Sequence, residues 1–408
     1  TDGFSISNPV VATVNNGGFI PQNLISNPFP TGLQLPAANS LGLLTDAGLG
    51  VNAIYLDHPS PYVQSISADF QYQLFSNAMI ELGYQGSLGR KLPVGYALNV
   101  NQLDPSYLSL GAGLNTPVAN PFYGYITSGT LSGKTVQAYQ LLRPYPQFLN
   151  VNLITDTPAA TSSFNALNFK YNQRIGKSVT ALVTYQWSKA IDDTSETQGW
   201  EIGDQERNAY NLSAERSISA HDVPQYLTTS LIWDLPVGRG KRFGGNMNKV
   251  VDGIIGNWQV STIISFASGL PLQFSCPNTL STYGFQACRP DITSLSSLAA
   301  GNQSTQQWFN TSSSVVFAPP AYTIGTAPRY IPNVRFGATD NASMSVRKSF
   351  VLTDRLRLSI QASAYNLSNT PQYGRANTSL GSLTFGQVTS LAPGATSRQI
   401  ELGARVQF

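Results

Sequence analysis

The chain has 408 residues, 41% of them hydrophobic and only 11% charged, with 35 Gly, 25 Pro and a formal net charge of +3. A soluble domain carries roughly 25% charged residues, so 24 Lys+Arg and 21 Asp+Glu argue against a cytosolic enzyme, whose surface needs more ions to stay in solution. The 19 Tyr, 19 Phe and 5 Trp exclude a disordered chain, and no Lys/Arg cluster of the size a phosphate backbone needs is present, so nucleic acid is not an expected partner.

No run approaches 18 consecutive apolar residues and the mean hydropathy is -0.10, which excludes transmembrane helices. The length allows two or three domains of about 150 residues, or one large β domain. Nothing near Thr1 resembles a basic segment followed by an apolar one. The chain is expected to be either mature or a piece of something longer.

Alternation with period two organises the rest. In 62–74, Tyr62, Ile66, Ala68, Phe70, Tyr72 and Leu74 oppose Ser65, Ser67, Asp69, Gln71 and Gln73. In 78–88, Ala78, Ile80, Leu82, Tyr84 and Leu88 oppose Glu81, Gln85 and Ser87. The segments 163–174 and 178–190 set Leu167, Phe169, Val183, Tyr185 and Trp187 against Asn168, Lys170, Thr184 and Gln186. Five more follow at 222–235, 256–268, 341–350, 354–366 and 397–408. There Val346, Ile360, Ile400 and Leu402 oppose Arg347, Arg357, Gln361 and Glu401.

Connection lengths alternate as well. Tight turns at 75–77, 176–177 and 351–353, with one intermediate connection at 236–255 that parity places on the same side, alternate with stretches rich in Gly, Pro, Asn and Ser at 90–162, 191–221, 269–340 and 367–396. Short turns on one side and long loops on the other characterise outer-membrane β-barrels, with the loops extracellular. From Ile400 to Phe408, at about 3.3 Å per residue and a tilt near 40°, a strand spans roughly 20 Å of bilayer. Aromatic residues such as Tyr62, Trp187, Trp233, Phe350 and Phe408 stand near strand ends, where an interfacial girdle belongs. A soluble β-sandwich gives no reason for the alternation of connection lengths.

Nine antiparallel strands leave the first and last parallel, so they cannot close as an even-numbered bacterial barrel. An open edge in lipid strands backbone donors and acceptors. The expectation is therefore an all-β fold, the C-terminal portion of a larger transmembrane barrel. Residues 1–61 would form an extracellular loop and the end of a preceding strand, and 62–408 the barrel strands with a periplasmic C-terminus.

The motifs NPFP (27–30), LGYQGSLGRKL (82–92), LLRPYPQF (141–148), FNALNFKYNQRIG (164–176) and TYQWSKAIDD (184–193) stand in this order. They are followed by AERSISAHDVPQYL (214–227), DLPVGRGKRFG (234–244), NWQVSTIISFASGLP (257–271), AYNLSNTPQYG (364–374) and RQIELGARVQF (398–408). Together they resemble the C-terminal barrel of Oar-like TonB-dependent outer-membrane receptors. The resemblance implies a 22-stranded barrel, of which about nine strands are present here, and a plug with a TonB-contacting segment that this sequence lacks. It implies as partners the outer-membrane lipid, the TonB energy-coupling system, the outer-membrane assembly machinery and a transported ligand. Phe408 would then end the terminal strand that the assembly machinery reads.

Asp69, Gln71, Glu81, Lys170, Arg347, Arg357 and Glu401 are the candidate lumen-lining residues. His221 and Asp222, with Ser219 nearby, suggest a hydrolytic triad, but neighbours on a strand point to opposite faces. The run GRGKRFGG (238–245) lacks phosphate-loop spacing and reads as a periplasmic turn. Asp192, Asp193, Glu196, Glu201, Asp204 and Glu206 offer hard oxygens for Ca²⁺ without an EF-hand pattern, and a solvated acidic loop is the simpler reading. Two histidines, His58 and His221, and two cysteines assemble no transition-metal set. Cys276 and Cys288, twelve positions apart, read as a local disulfide in an oxidising compartment. No cofactor motif and no catalytic set emerge. Active transport is the leading expectation; a barrel-anchored adhesin or structural protein is the alternative.

Overall fold

The computed structural model describes residues 6–8, 23–36, 38, 40–57, 59–94, 97–154, 157–176, 178–194, 205–353 and 355–408. Its frame is one antiparallel sheet in which each long strand pairs with its sequence neighbours. The strands are β1 Tyr62–Phe75, β2 Ala78–Val94, β3 Thr157–Ile175, β4 Val179–Asp192, β5 Gln225–Asp234, β6 Trp258–Ala267, β7 Thr339–Val351, β8 Arg357–Tyr365 and β9 Gln399–Gln407. A two-residue strand, Ser217–Ile218, extends the sheet beside the end of β4. β1 and β9 are its two ends and do not pair with each other among the described residues, so the sheet is open.

Register carries the alternation across the whole sheet. One cross-strand row runs Gln71, Glu81, Lys170, Thr184, Thr228, Ser265, Asn341, all on the polar face. A row of the other face runs Tyr72, Ile80, Tyr171, Val183, Thr229, Ile264, Ala342. A one-residue slip in any pair would exchange the faces. Much of the apolar face is left uncovered: Leu402 is 82% exposed and Ile400 68%.

Strand limits depart from the sequence expectation where alternation is broken. β2 continues past Leu88 to Val94 and β3 begins at Thr157, because register shifts between Gly89 and Leu92 and between Leu92 and Val94 reset the period. Lys91, at φ 55, takes the positive φ of a bulge residue. β5 starts at Gln225, not at Asp222: Pro224 has no N–H to give a ladder, and only its carbonyl is used, by the Ser188 N–H at 2.9 Å.

The buried apolar core lies in the connections. The long strands contribute only Val94 and three alanines to it among the described residues, whereas Leu272, Phe274, Leu298, Phe309 and Ile331 form one cluster in the connection after β6. Leu103, Leu114, Leu280, Tyr283 and Phe285 form a second, between the connections after β2 and after β6. Ile126, Leu131 and Val136 form a third. No described residue before Tyr62 joins the large sheet; Val51–Ala53 pairs instead with Val151–Leu153, within the β2–β3 connection.

Candidate functional site

Two regions have the chemistry to handle a polar solute: the polar face of the sheet and the folded assembly of long connections at one end of it. All seven candidate lumen residues fall on the polar face. Glu81 joins two strands there, 3.5 Å from the Lys170 Nζ and accepting from Gln71 Nε2 at 3.1 Å. Both charges keep contact with water, so the pair orients side chains more than it stabilises the fold. Toward β9, Arg347, Gln361, Ser363, Glu401 and Arg405 line a depression of about 310 Å³. Arg347 Nη2 donates to Ser359 Oγ at 3.2 Å. Asp69 lies opposite Gly83 and Arg357 opposite Gln407, on the same face.

The four long connections interlock into a cap. Asn99 Nδ2 donates to the Gly284 carbonyl at 3.1 Å, and the Leu103 N–H to the Tyr283 carbonyl at 2.9 Å. Gln102 bridges to the β4–β5 connection, donating to Asn208 Oδ1 at 2.7 Å and accepting from the Ala209 N–H at 2.8 Å. The β8–β9 connection is tied in by the Trp308 N–H on the Gly386 carbonyl, at 2.7 Å, and the Val388 N–H on the Thr305 carbonyl, at 2.8 Å.

A buried charge cluster lies where these connections meet. Glu215 is 2% exposed. Its Oε1 accepts from the Arg207 N–H at 3.1 Å and from Arg207 Nε at 3.2 Å, and its Oε2 pairs with Arg289. Arg207 Nη1 also reaches the Gly325 carbonyl at 2.7 Å. Arg329 donates from Nε to the Glu215 carbonyl at 3.1 Å and pairs with Asp192 at the end of β4. Burial pulls the Arg289 guanidinium below its usual pKa, and the Glu215 charge opposes that pull. Arg289 also borders a cavity of about 340 Å³ lined by Gln205, Gln273, Asn278, Gln286 and the disulfide of Cys276 and Cys288. The Cα atoms of those cysteines are 5.2 Å apart. Amide side chains around a half-open cavity suit a polar, hydrogen-bonding solute.

The arginines of this cluster were missed by sequence reasoning, which read the connections through their Gly, Pro, Asn and Ser content, their acidic run and their two cysteines. The acidic segment is also corrected in part. Asp192 and Glu206 are buried, and Asp193 accepts from the Thr161 N–H at 2.9 Å and lies 3.5 Å from Arg216, so these three are built into the cap and are not solvated. Glu196, Glu201, Asp204 and His58 lie outside the described residues. No set of metal ligands occurs among the described residues.

Asp222 does not orient His221. Its carboxylate accepts from the Ala190 N–H at 2.7 Å and from Arg335 at 2.6 Å, fastening the connection to β4. In the run 238–245, the Arg239 N–H donates to Asp252 Oδ1 at 2.8 Å, so a carboxylate of the chain itself takes a donor that a phosphate loop would present.

The outer membrane beta barrel domain model matches residues 2–401. Among solved structures, the outer membrane transporter YddB from Escherichia coli superposes with a TM-score of 0.42 at 7% identity, covering 88% of this chain and 34% of that one. The FrpB iron transporter from Neisseria meningitidis gives 0.35 at 11% identity, with 88% and 33% covered. The ferric-catecholate import receptor Fiu from Escherichia coli K12 gives 0.27 at 12% identity, with 85% and 43% covered. The chain thus spans about a third of the first two structures' length. No curated protein matches it.

Proposed function

The chain belongs to the outer membrane beta barrel domain family, and from that premise we propose that it is the C-terminal barrel portion of a TonB-dependent receptor of the Oar-like kind. The cap is extracellular, the short turns and the C-terminus are periplasmic, and the polar face lines the lumen that receives a plug and passes cargo. The observation that carries this reading is the pairing of an open sheet, polar on one face only, with four long connections folded over one end. Two unpaired edges are costly in lipid, so the barrel takes further strands from outside these residues, and the resemblance to Oar-like receptors adds a plug. Catalysis has no support in the arrangement of Ser219, His221 and Asp222.

The test is uptake by a deletion strain. The intact receptor restores energised uptake of its ligand, and the proton-motive force or TonB being removed abolishes it; residues 1–408 behind a signal peptide restore none. Uptake by the 408 residues alone refutes the proposal. Normal uptake in the deletion strain with lost cell adhesion assigns the barrel to adhesion instead.

A further inference from the structure

The connection between β5 and β6 contains a helix, α1 Lys249–Ile255. Asn248 caps it, its Oδ1 accepting from the Val251 N–H at 2.8 Å. The helix lies against the apolar face of the sheet. Trp258 Nε1 donates to the Ile254 carbonyl at 3.0 Å, and Lys348 Nζ donates to the carbonyls of Ile254 and Gly256 at 3.2 and 2.5 Å. Lys348 shares the apolar face with Trp258 and Ile360 in register. It is buried under α1, 5.1 Å from the ring centres of both Trp258 and Phe350. A cation on the membrane-facing side is therefore answered by the C-terminal carbonyls of the helix and by two aromatic faces.

The side of α1 turned away from the sheet is apolar and uncovered. Val250 and Val251 with Ile254 and Ile255, each four apart, make one stripe, Val250 being 73% and Ile254 64% exposed. Lys249 opens the same helix and Arg239 is tied to it by its N–H on Asp252 Oδ1 at 2.8 Å, while the same connection carries Lys241 and Arg242, all four exposed, and Phe243 with the Arg242 guanidinium 5.6 Å from its ring centre. An apolar stripe bordered by cations, continuous with the bilayer-facing side of a barrel, matches the boundary between acyl chains and headgroups.

We propose that α1 lies in the bilayer interface on the short-turn side, with the Val250–Ile254 stripe among the acyl chains and the cations on phospholipid phosphates. That this leaflet is the periplasmic one rests on the orientation proposed above; the insertion itself does not.

The test uses the full-length protein carrying Ile254→Cys or Val250→Cys, labelled with bimane without reductant so that the Cys276 to Cys288 bond stays closed. After reconstitution into phosphatidylethanolamine and phosphatidylglycerol bilayers, phospholipid brominated near the glycerol end should quench either label about two-fold or more, and aqueous iodide should quench little. A label at Asn302→Cys in the cap should show the reverse. Two sites keep the test open if one variant does not fold. Labels at 250 and 254 that respond like the one at 302 overturn the proposal, and labels shielded from both quenchers overturn it in favour of a protein contact. Lipid quenching reads the same whichever leaflet the turn occupies, so failure here and failure of the transport reading are distinguishable.

Discussion

Glu215→Gln should unlock the cap and leave the barrel folded. The substitution keeps the shape but removes the carboxylate that pairs with both Arg207 and Arg289, and it turns one acceptor into an NH₂ donor aimed at a guanidinium. Both arginines stay buried, at 8% and 2% exposure. Removing one partner of a buried pair costs about 3–5 kcal/mol, because the remaining charge is left without compensation. At about 1.4 kcal/mol per factor of ten, the opening equilibrium of the cap should rise by roughly a hundred- to a few thousand-fold. Limited proteolysis in outer-membrane vesicles reads that population directly when opening is fast relative to cleavage. Cleavage within 205–222 and 278–330 should accelerate, while the heat-modifiable mobility of the barrel stays unchanged. Equal cleavage of wild-type and variant refutes the view that this cluster holds the cap together.

Ile360 and Gln361 are neighbours on opposite faces of β8, Gln361 standing beside Arg347 on the polar side. Ile360→Arg should cost about 2–4 kcal/mol and reduce folded barrel, whereas Gln361→Arg should be tolerated; equal loss of the heat-modifiable band for both would show the faces to be misassigned. Closing a loop across a separation of 12 residues constrains the unfolded segment by roughly 3 kcal/mol in the chain-entropy model, so peptide mass spectrometry of protein from cells should find the Cys276 to Cys288 cross-link, and free thiols before reduction would sink it. Gly284 has φ +93, and a Cβ there would sit 2.9 Å from the Gln102 Cα; Gly284→Ala should loosen the cap by about 1–3 kcal/mol, seen as faster proteolysis at 97–115. Deleting Phe408 should sharply lower surface levels of the intact receptor, measured by whole-cell labelling, and unchanged levels count against an assembly role.

The nine strands and their two faces were readable from the sequence because the information is local. A period of two over ten residues says which side chains share a face, and a polar run every 20 to 70 residues says which ends are joined by turns and which by long loops. That reading departed most where local order fails, at the bulges around Leu92, which hid the last residues of β2, and at Pro224, which moved the start of β5; β8 and β9 also begin a few residues later than expected, at Arg357 and Gln399. The cap has no period to read. Arg207 meets the Gly325 carbonyl across 118 positions, Arg329 meets Asp192 across 137, and Asn99 meets Gly284 across 185. Nothing in the neighbourhood of any of these residues marks it as buried, and a Gly- and Asn-rich stretch looks like solvent-exposed chain until its partner is beside it. The same holds for Lys348, an apparent error on an apolar strand face until α1 folds over it. Alternation along the chain thus determined the sheet and which of its faces is apolar and which polar; only the tertiary structure decided that, among the described residues, the hydrophobic core and most of the buried charges lie in the connections, because those contacts join positions far apart in the chain and leave no local period to read.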